Sequence, residues 1–226
     1  MSDSSFLREV DEAVRHERYK KLWDRYGIYA IGLAVLIIAG VAGYKGWNYW
    51  RERVASESGA EFTQALVLEQ AGDKAKAKDV FGELIAEGPA GYQILGRFQL
   101  AEAEAEAGQT DKAIASYDAL ATDGRVDGIL KGFATIKSAM LKVDTADNAE
   151  MERRVGGLIE QNSPWRYSAR ELLGLTAFRL DNMNEAERQF SALLGDPGTP
   201  TNLRQRADMM LALLAGDPKA MSTTAN

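Results

Sequence analysis

A four-position pattern recurs along this 226-residue chain: a small residue, an Ala twelve positions later, an aromatic four after that, and a Leu three further on. Three copies are complete: Ala65/Ala77/Phe81/Leu84, Ala101/Ala113/Tyr117/Leu120 and Gly174/Ala186/Phe190/Leu193. The gap between the second and third is twice as long as the first, and a degraded copy, Ala139/Met151/Val155/Leu158, fills it. Successive units therefore begin 36, 38 and 35 residues apart. Self-similarity at such a period marks a stacked-repeat fold and decides the architecture ahead of local propensity. Two short helices cannot bury their apolar stripes alone. Small residues let them cross closely, and the aromatic fills the space against the next pair.

Local signals agree with helix pairs. Stretches such as QLAEAEAEAGQ, residues 99–109, are built from strong helix formers. Gly72-Asp73, Gly108 with Thr110, and Asn184 with Glu187 read as a helix stop followed by an N-cap. Ser163-Pro164 and Thr199-Pro200 place a capping hydroxyl ahead of a Pro at the first helical position. The helix from Pro200 to about Ala215 is expected to close the array, and residues 217–226 to form a flexible tail.

This pattern resembles the tetratricopeptide repeat, with Leu173-Gly174 at the family's Leu-Gly pair and Pro89 and Pro197 near its end-of-unit proline. The resemblance implies an all-α fold for residues 58–216: an α-solenoid of about four helix pairs plus a capping helix. It also implies a concave groove lined by the first helix of each unit. Carried across by position, it points Glu69, Gln70, Phe98, Glu102, Glu106, Glu171, Phe178 and Arg179 into that groove. Such a groove is acidic with aromatic relief, suited to a peptide that carries Lys or Arg beside a hydrophobic residue.

Ahead of the repeats, Gly27 to Tyr44 run GIYAIGLAVLIIAGVAGY without a charge. Eighteen residues at about 1.5 Å each approach the ~30 Å of a bilayer core. Trp23, Tyr26 and Tyr29 flank one end and Trp47, Tyr49 and Trp50 the other, as aromatic belts do at two water boundaries. A transmembrane helix is predicted over 27–48, after a cytoplasmic amphipathic leader, 1–26, and before a juxtamembrane linker, 49–57. Arg15, Arg18, Lys20, Lys21 and Arg25 crowd the N-terminal side, against Lys45, Arg51 and Arg53 on the other. The positive-inside bias then keeps the N-terminus in the cytoplasm and exports the repeats. A cleaved signal peptide is the rival, with Gly40-Val41-Ala42 as its small-residue site. Its leading region would be unusually long and rich in acid.

The chain has no cysteine and its one histidine is His16, which removes thiol chemistry and Cys/His metal sites. No catalytic, cofactor-binding or metal-binding residues are expected, and no small-molecule substrate. Glu102/Glu106 read as the solvated face of a Glu/Ala-rich helix rather than as an acid pair. Residues 51–226 carry 20 Lys/Arg against 27 Asp/Glu, the wrong balance for phosphate backbones, so nucleic acid is not an expected partner.

The basic-aromatic leader ERYKKLWDRYG, residues 17–27, then one span, then a divergent repeat array resemble the YfgM-type ancillary subunits of the bacterial Sec translocon. That resemblance implies a single-pass inner-membrane protein with a periplasmic domain, beside a SecYEG-type channel and a PpiD-type periplasmic chaperone. An alternative of another class is a coordinator of envelope or cell-division machinery that binds peptidoglycan synthases.

Overall fold

The computed structural model describes residues 3–160 and 163–216, which form helices joined by short turns. The chain divides into two compact units, Met1–Glu57 and Ser58–Asn226. Helix α1, Asp3–Gln70, contributes to both.

In the first unit the charge-free run is helical, and its large side chains stand exposed: Ile28 is 73% exposed, Leu36 71% and Ile38 67%. Among the described residues this is the one helix long and apolar enough to cross a membrane. Trp47 and Trp50 meet at its far end with ring centroids 5.4 Å apart and planes tilted by 40°. The side chains of Phe6, Val10, Val14, Tyr19 and Leu22, which carry the expected amphipathic face of the leader, lie outside the described residues, as does the tail 217–226.

The second unit is a solenoid. Residues 58–70 of α1 pair with α2 (Lys74–Glu87), α3 (Ala90–Glu106) with α4 (Thr110–Thr122), and α5 (Gly128–Lys142) with α6 (Asn148–Val155). Next come α7 (Arg166–Arg179) with α8 (Met183–Gly195), and then α9 (Thr201–Leu214). From α2 on, each helix packs on the next, and α5 also meets α7 as α7 meets α9, so first helices of neighbouring units lie side by side. The core is serial. Ala65, Ala77, Phe81 and Leu84 form one cluster; Phe98, Ala101, Tyr117 and Leu120 another; Ala139, Met151, Val155 and Leu173 a third; Ala177, Ala186, Phe190 and Leu193 a fourth. In the degraded unit Met151 and Val155 are fully buried, so a flexible thioether and a small branched chain fill the space that an Ala and an aromatic fill elsewhere.

Ala113 is fully buried, as the alignment requires, but it stands outside the second apolar cluster, which Val126 and Ala134 join instead. The second half of the α3 partner helix reads AEAEAE, residues 101–106, and offers no large apolar side chain for a single methyl to join. Ala113 therefore acts as a spacer that lets α4 lie close to α3, rather than as a member of the cluster around Phe98 and Tyr117.

The turn inside each pair has a fixed register. Gly72 (φ 87°), Gly108 (φ 73°) and Asp181 (φ 58°) occupy the same position after the small residue, where a left-handed conformation ends the first helix. The next residue is the N-cap of the second helix, and in three of the four pairs its side chain caps it. Asp73 accepts from Lys76 N–H at 3.4 Å, Asp147 from Glu150 N–H at 2.7 Å and Asn182 from Glu185 N–H at 3.4 Å. Gly174, inside α7, is a close-approach site, because a Cβ there would stand 2.9 Å from the Phe190 ring.

Four helix starts depart from the sequence expectation. The cap of α4 is Gln109 rather than Thr110, and its side chain makes no cap hydrogen bond. The cap of α8 is Asn182 rather than Asn184, because the left-handed residue is Asp181 and the cap follows it directly. Helix α7 begins at Arg166, and Ser163 Oγ accepts from Trp165 N–H at 3.2 Å within the turn that precedes it. Before α9, Pro200 takes the cap position, and the buried Thr199 hydroxyl has no hydrogen-bond partner.

Candidate partner-binding groove

The face built by the first helices changes character along the solenoid. At its N-terminal end it is charged. Glu106 accepts from Lys74 Nζ at 2.7 Å. Glu102 accepts from the Tyr117 hydroxyl at 2.6 Å and pairs with Lys137 Nζ at 2.5 Å, which brings α3, α4 and α5 together through one carboxylate. Burial raises the Glu102 carboxyl, but the hydrogen bonds from Lys137 and Tyr117 outweigh that and hold it below the usual value. Burial, together with the Glu102 carboxylate, pushes the Tyr117 phenol well above its ordinary value. Glu69 goes the other way. Burial first, then the nearby Glu106 carboxylate, raises it above the usual range despite Lys74.

At the C-terminal end the same face is apolar. A groove of about 590 Å³ lies between α5, α7 and α9, walled by Ile136 and Met140, by Leu172 and Leu175, and by Met209, Met210 and Leu213. The two charged residues in its lining hold each other: Arg206 donates to both carboxylate oxygens of Glu171, at 2.5 and 2.9 Å. A volume of this size, walled by apolar side chains with few polar groups, is typical of ligand and peptide sites.

The residues that the repeat alignment points at a groove are distributed over both ends and the core. Glu69, Gln70, Glu102 and Glu106 belong to the charged end, with Gln70 exposed at the end of α1. Glu171 lines the apolar groove. Phe98 is only 8% exposed and packs on Tyr117 and Phe133, with centroids 6.2 and 5.4 Å away, so it belongs to the core. Phe178 likewise packs against the α7–α8–α9 core. Arg179 donates from Nε to Val143 O at 2.9 Å and also to Ala146 O. It closes the longer turn of the third unit, where α5 ends early and no left-handed residue is present. The expected surplus of glutamate is largely met by cations, since Glu102, Glu106 and Glu171 each have one.

Met140, Met209 and Met210 carry the apolar end and were not singled out by the alignment. A signal existed. Ile136 and Met140 stand at the register positions of Phe98 and Glu102 one unit along, and Val143 at that of Glu69 two units along. Among the described residues no group of three His, Asp or Glu is arranged to hold a metal ion.

Comparison with curated proteins and with solved structures finds no match. The family model described as tetratricopeptide repeat-like domain matches residues 20–215, taking in the apolar helix as well as every helix pair. The serial cores, the recurring left-handed turn and the match over most of its length agree, and the chain belongs to the tetratricopeptide repeat-like domain family.

Proposed function

We propose that this protein is a membrane-anchored scaffold that holds other proteins at a bacterial inner membrane. Residues 27–48 span the bilayer, the N-terminus stays in the cytoplasm, and the repeats stand in the periplasm. The observation that carries this reading is the helix around Ile28, Leu36 and Ile38, apolar on every side and exposed along its length. Apolar surface costs about 25 cal/mol per Å² in water, and a helix apolar all round has its natural surroundings in lipid. The Lys/Arg bias ahead of the span supports the orientation. The repeat family supports protein partners in general.

For the identity of the partners, the resemblance of leader, span and array to YfgM-type subunits favours a SecYEG-type translocon. A PpiD-type chaperone then acts with this protein on polypeptides that emerge from the channel. The test is site-specific photocrosslinking in living cells from Leu33 and Ile38, in the middle of the span. Adducts with a channel subunit are the expected result. Adducts confined to peptidoglycan synthases would replace the translocon reading with the cell-division one.

A further inference from the structure

The apolar groove and the charged end of the first-helix face are neighbours. Lys137, which reaches Glu102, stands one helical turn before Met140 on α5. Glu69 is close enough to Glu106 and Glu102 for their charges to be felt, and the three carboxylates face two lysines, Lys74 and Lys137. Glu69 makes no ion pair among the described residues, so this corner keeps an uncompensated negative charge. Beside it, Met140 is 54% exposed and Met209 38%, unbranched thioethers that can reshape around different occupants.

We propose that the groove between α5, α7 and α9 binds polypeptide segments in which large apolar side chains lie next to Lys or Arg. The apolar side chains seat among Met140, Leu175 and Met209, and the cation lies at Glu69 and Glu102. Charge complementarity selects this occupant. An anionic lipid would bring its phosphate against the carboxylates. A second copy of the chain would bring residues 51–226, with 27 acidic residues against 20 basic ones. The inference rests on the protein-binding reading of the repeats and is independent of which machine the span contacts.

The test uses the full-length chain in nanodiscs of neutral phosphatidylcholine, with empty nanodiscs as control. Fluorescent peptides of Leu and Phe interleaved with Lys are compared with the same peptides carrying Glu for Lys, or Ser for Leu and Phe. The Lys peptide is expected to bind most tightly, and more weakly as salt rises. A Met140→Ser, Met209→Ser double variant, altered at exposed positions, should lose roughly tenfold in affinity, as when a central contact is removed. Glu69→Gln should lose less and flatten the salt dependence, with both variants melting cooperatively. Benzoylphenylalanine in place of Met209 should capture the Lys peptide. Equal binding of the Glu peptide, unchanged affinity in the folded double variant, or capture of only lipid or a second copy would each overturn the proposal. Loss of translocon crosslinks from the span would leave it untouched.

Discussion

The hydroxyl of Tyr117 donates to Glu102 at 2.6 Å from a ring that is 1% exposed, so one side chain fills the core between α3, α4 and α5 and orients a carboxylate at its edge. Removing the ring removes both. Tyr117→Ala should cost about 3–5 kcal/mol, as large-to-small changes in cores do. Tyr117→Phe should cost only about 0.5–1.5 kcal/mol, because Lys137 still meets Glu102. Thermal melts of the three proteins test both figures.

Glu102 also predicts a dependence on pH. Its folded carboxyl is held below the usual value, so its ionised form stabilises the fold above the unfolded value of about 4.3. That contribution fades as pH falls through the lowered folded value. The gap in melting temperature between wild type and Glu102→Gln should be widest near neutrality and close in acid. Glu69 is raised instead, so its charge opposes folding, and Glu69→Gln should melt no lower than wild type at neutral pH. A gap for Glu102→Gln that widens in acid would contradict the first assignment.

Two glycines within helices should respond with opposite signs to the same substitution. Gly82 has open space where a Cβ would go, and Gly82→Ala should stabilise by about 0.5–1 kcal/mol through helix propensity. At Gly174 the Phe190 ring stands in the way, so Gly174→Ala should destabilise by about 1–3 kcal/mol through overpacking. Denaturant melts of the two variants measure both.

Arg179 caps the irregular third unit from the fourth. Arg179→Ala leaves the Val143 and Ala146 carbonyls without that donor. The cost should be about 1–2 kcal/mol, at the lower end for a charged donor because the side chain is partly exposed. Amide exchange should quicken over residues 143–151 well before it does in α8. Uniform protection across both regions would assign Arg179 no role in the turn.

The solenoid is legible in the sequence because its requirements are stringent and periodic. A crossing point accepts only a small residue, which leaves Ala65, Ala101, Ala139 and Gly174 in step. Burial at such a position is easier to read than membership of a cluster, since Ala113 keeps its place in the register while its neighbours on α3 decide what it touches. Caps are less legible, since Asn182 and Asn184 are equally good capping residues and only the left-handed Asp181 decides between them. The face of the solenoid is harder still. Phe98 shares its register with Ile136 and Glu171, yet it is core because Phe133 and Tyr117 close over it. The apolar groove depends on α9 lying against α7, a contact between helices that no single segment's pattern encodes. Buried Leu203 and Ala207 alongside exposed Met209 show that α9 has two apolar aspects, one for the core and one for the groove.

The proposed export of the repeat region on a retained span is directly measurable, because the chain has no native cysteine. Single-cysteine variants Ser4→Cys and Ser56→Cys flank the apolar segment. In intact spheroplasts a membrane-impermeant maleimide should label Ser56→Cys fully and Ser4→Cys only after lysis, with both variants keeping the full-length mass. Labelling of Ser4→Cys in intact spheroplasts, or a mature chain that begins near Gly43, would overturn the proposed topology.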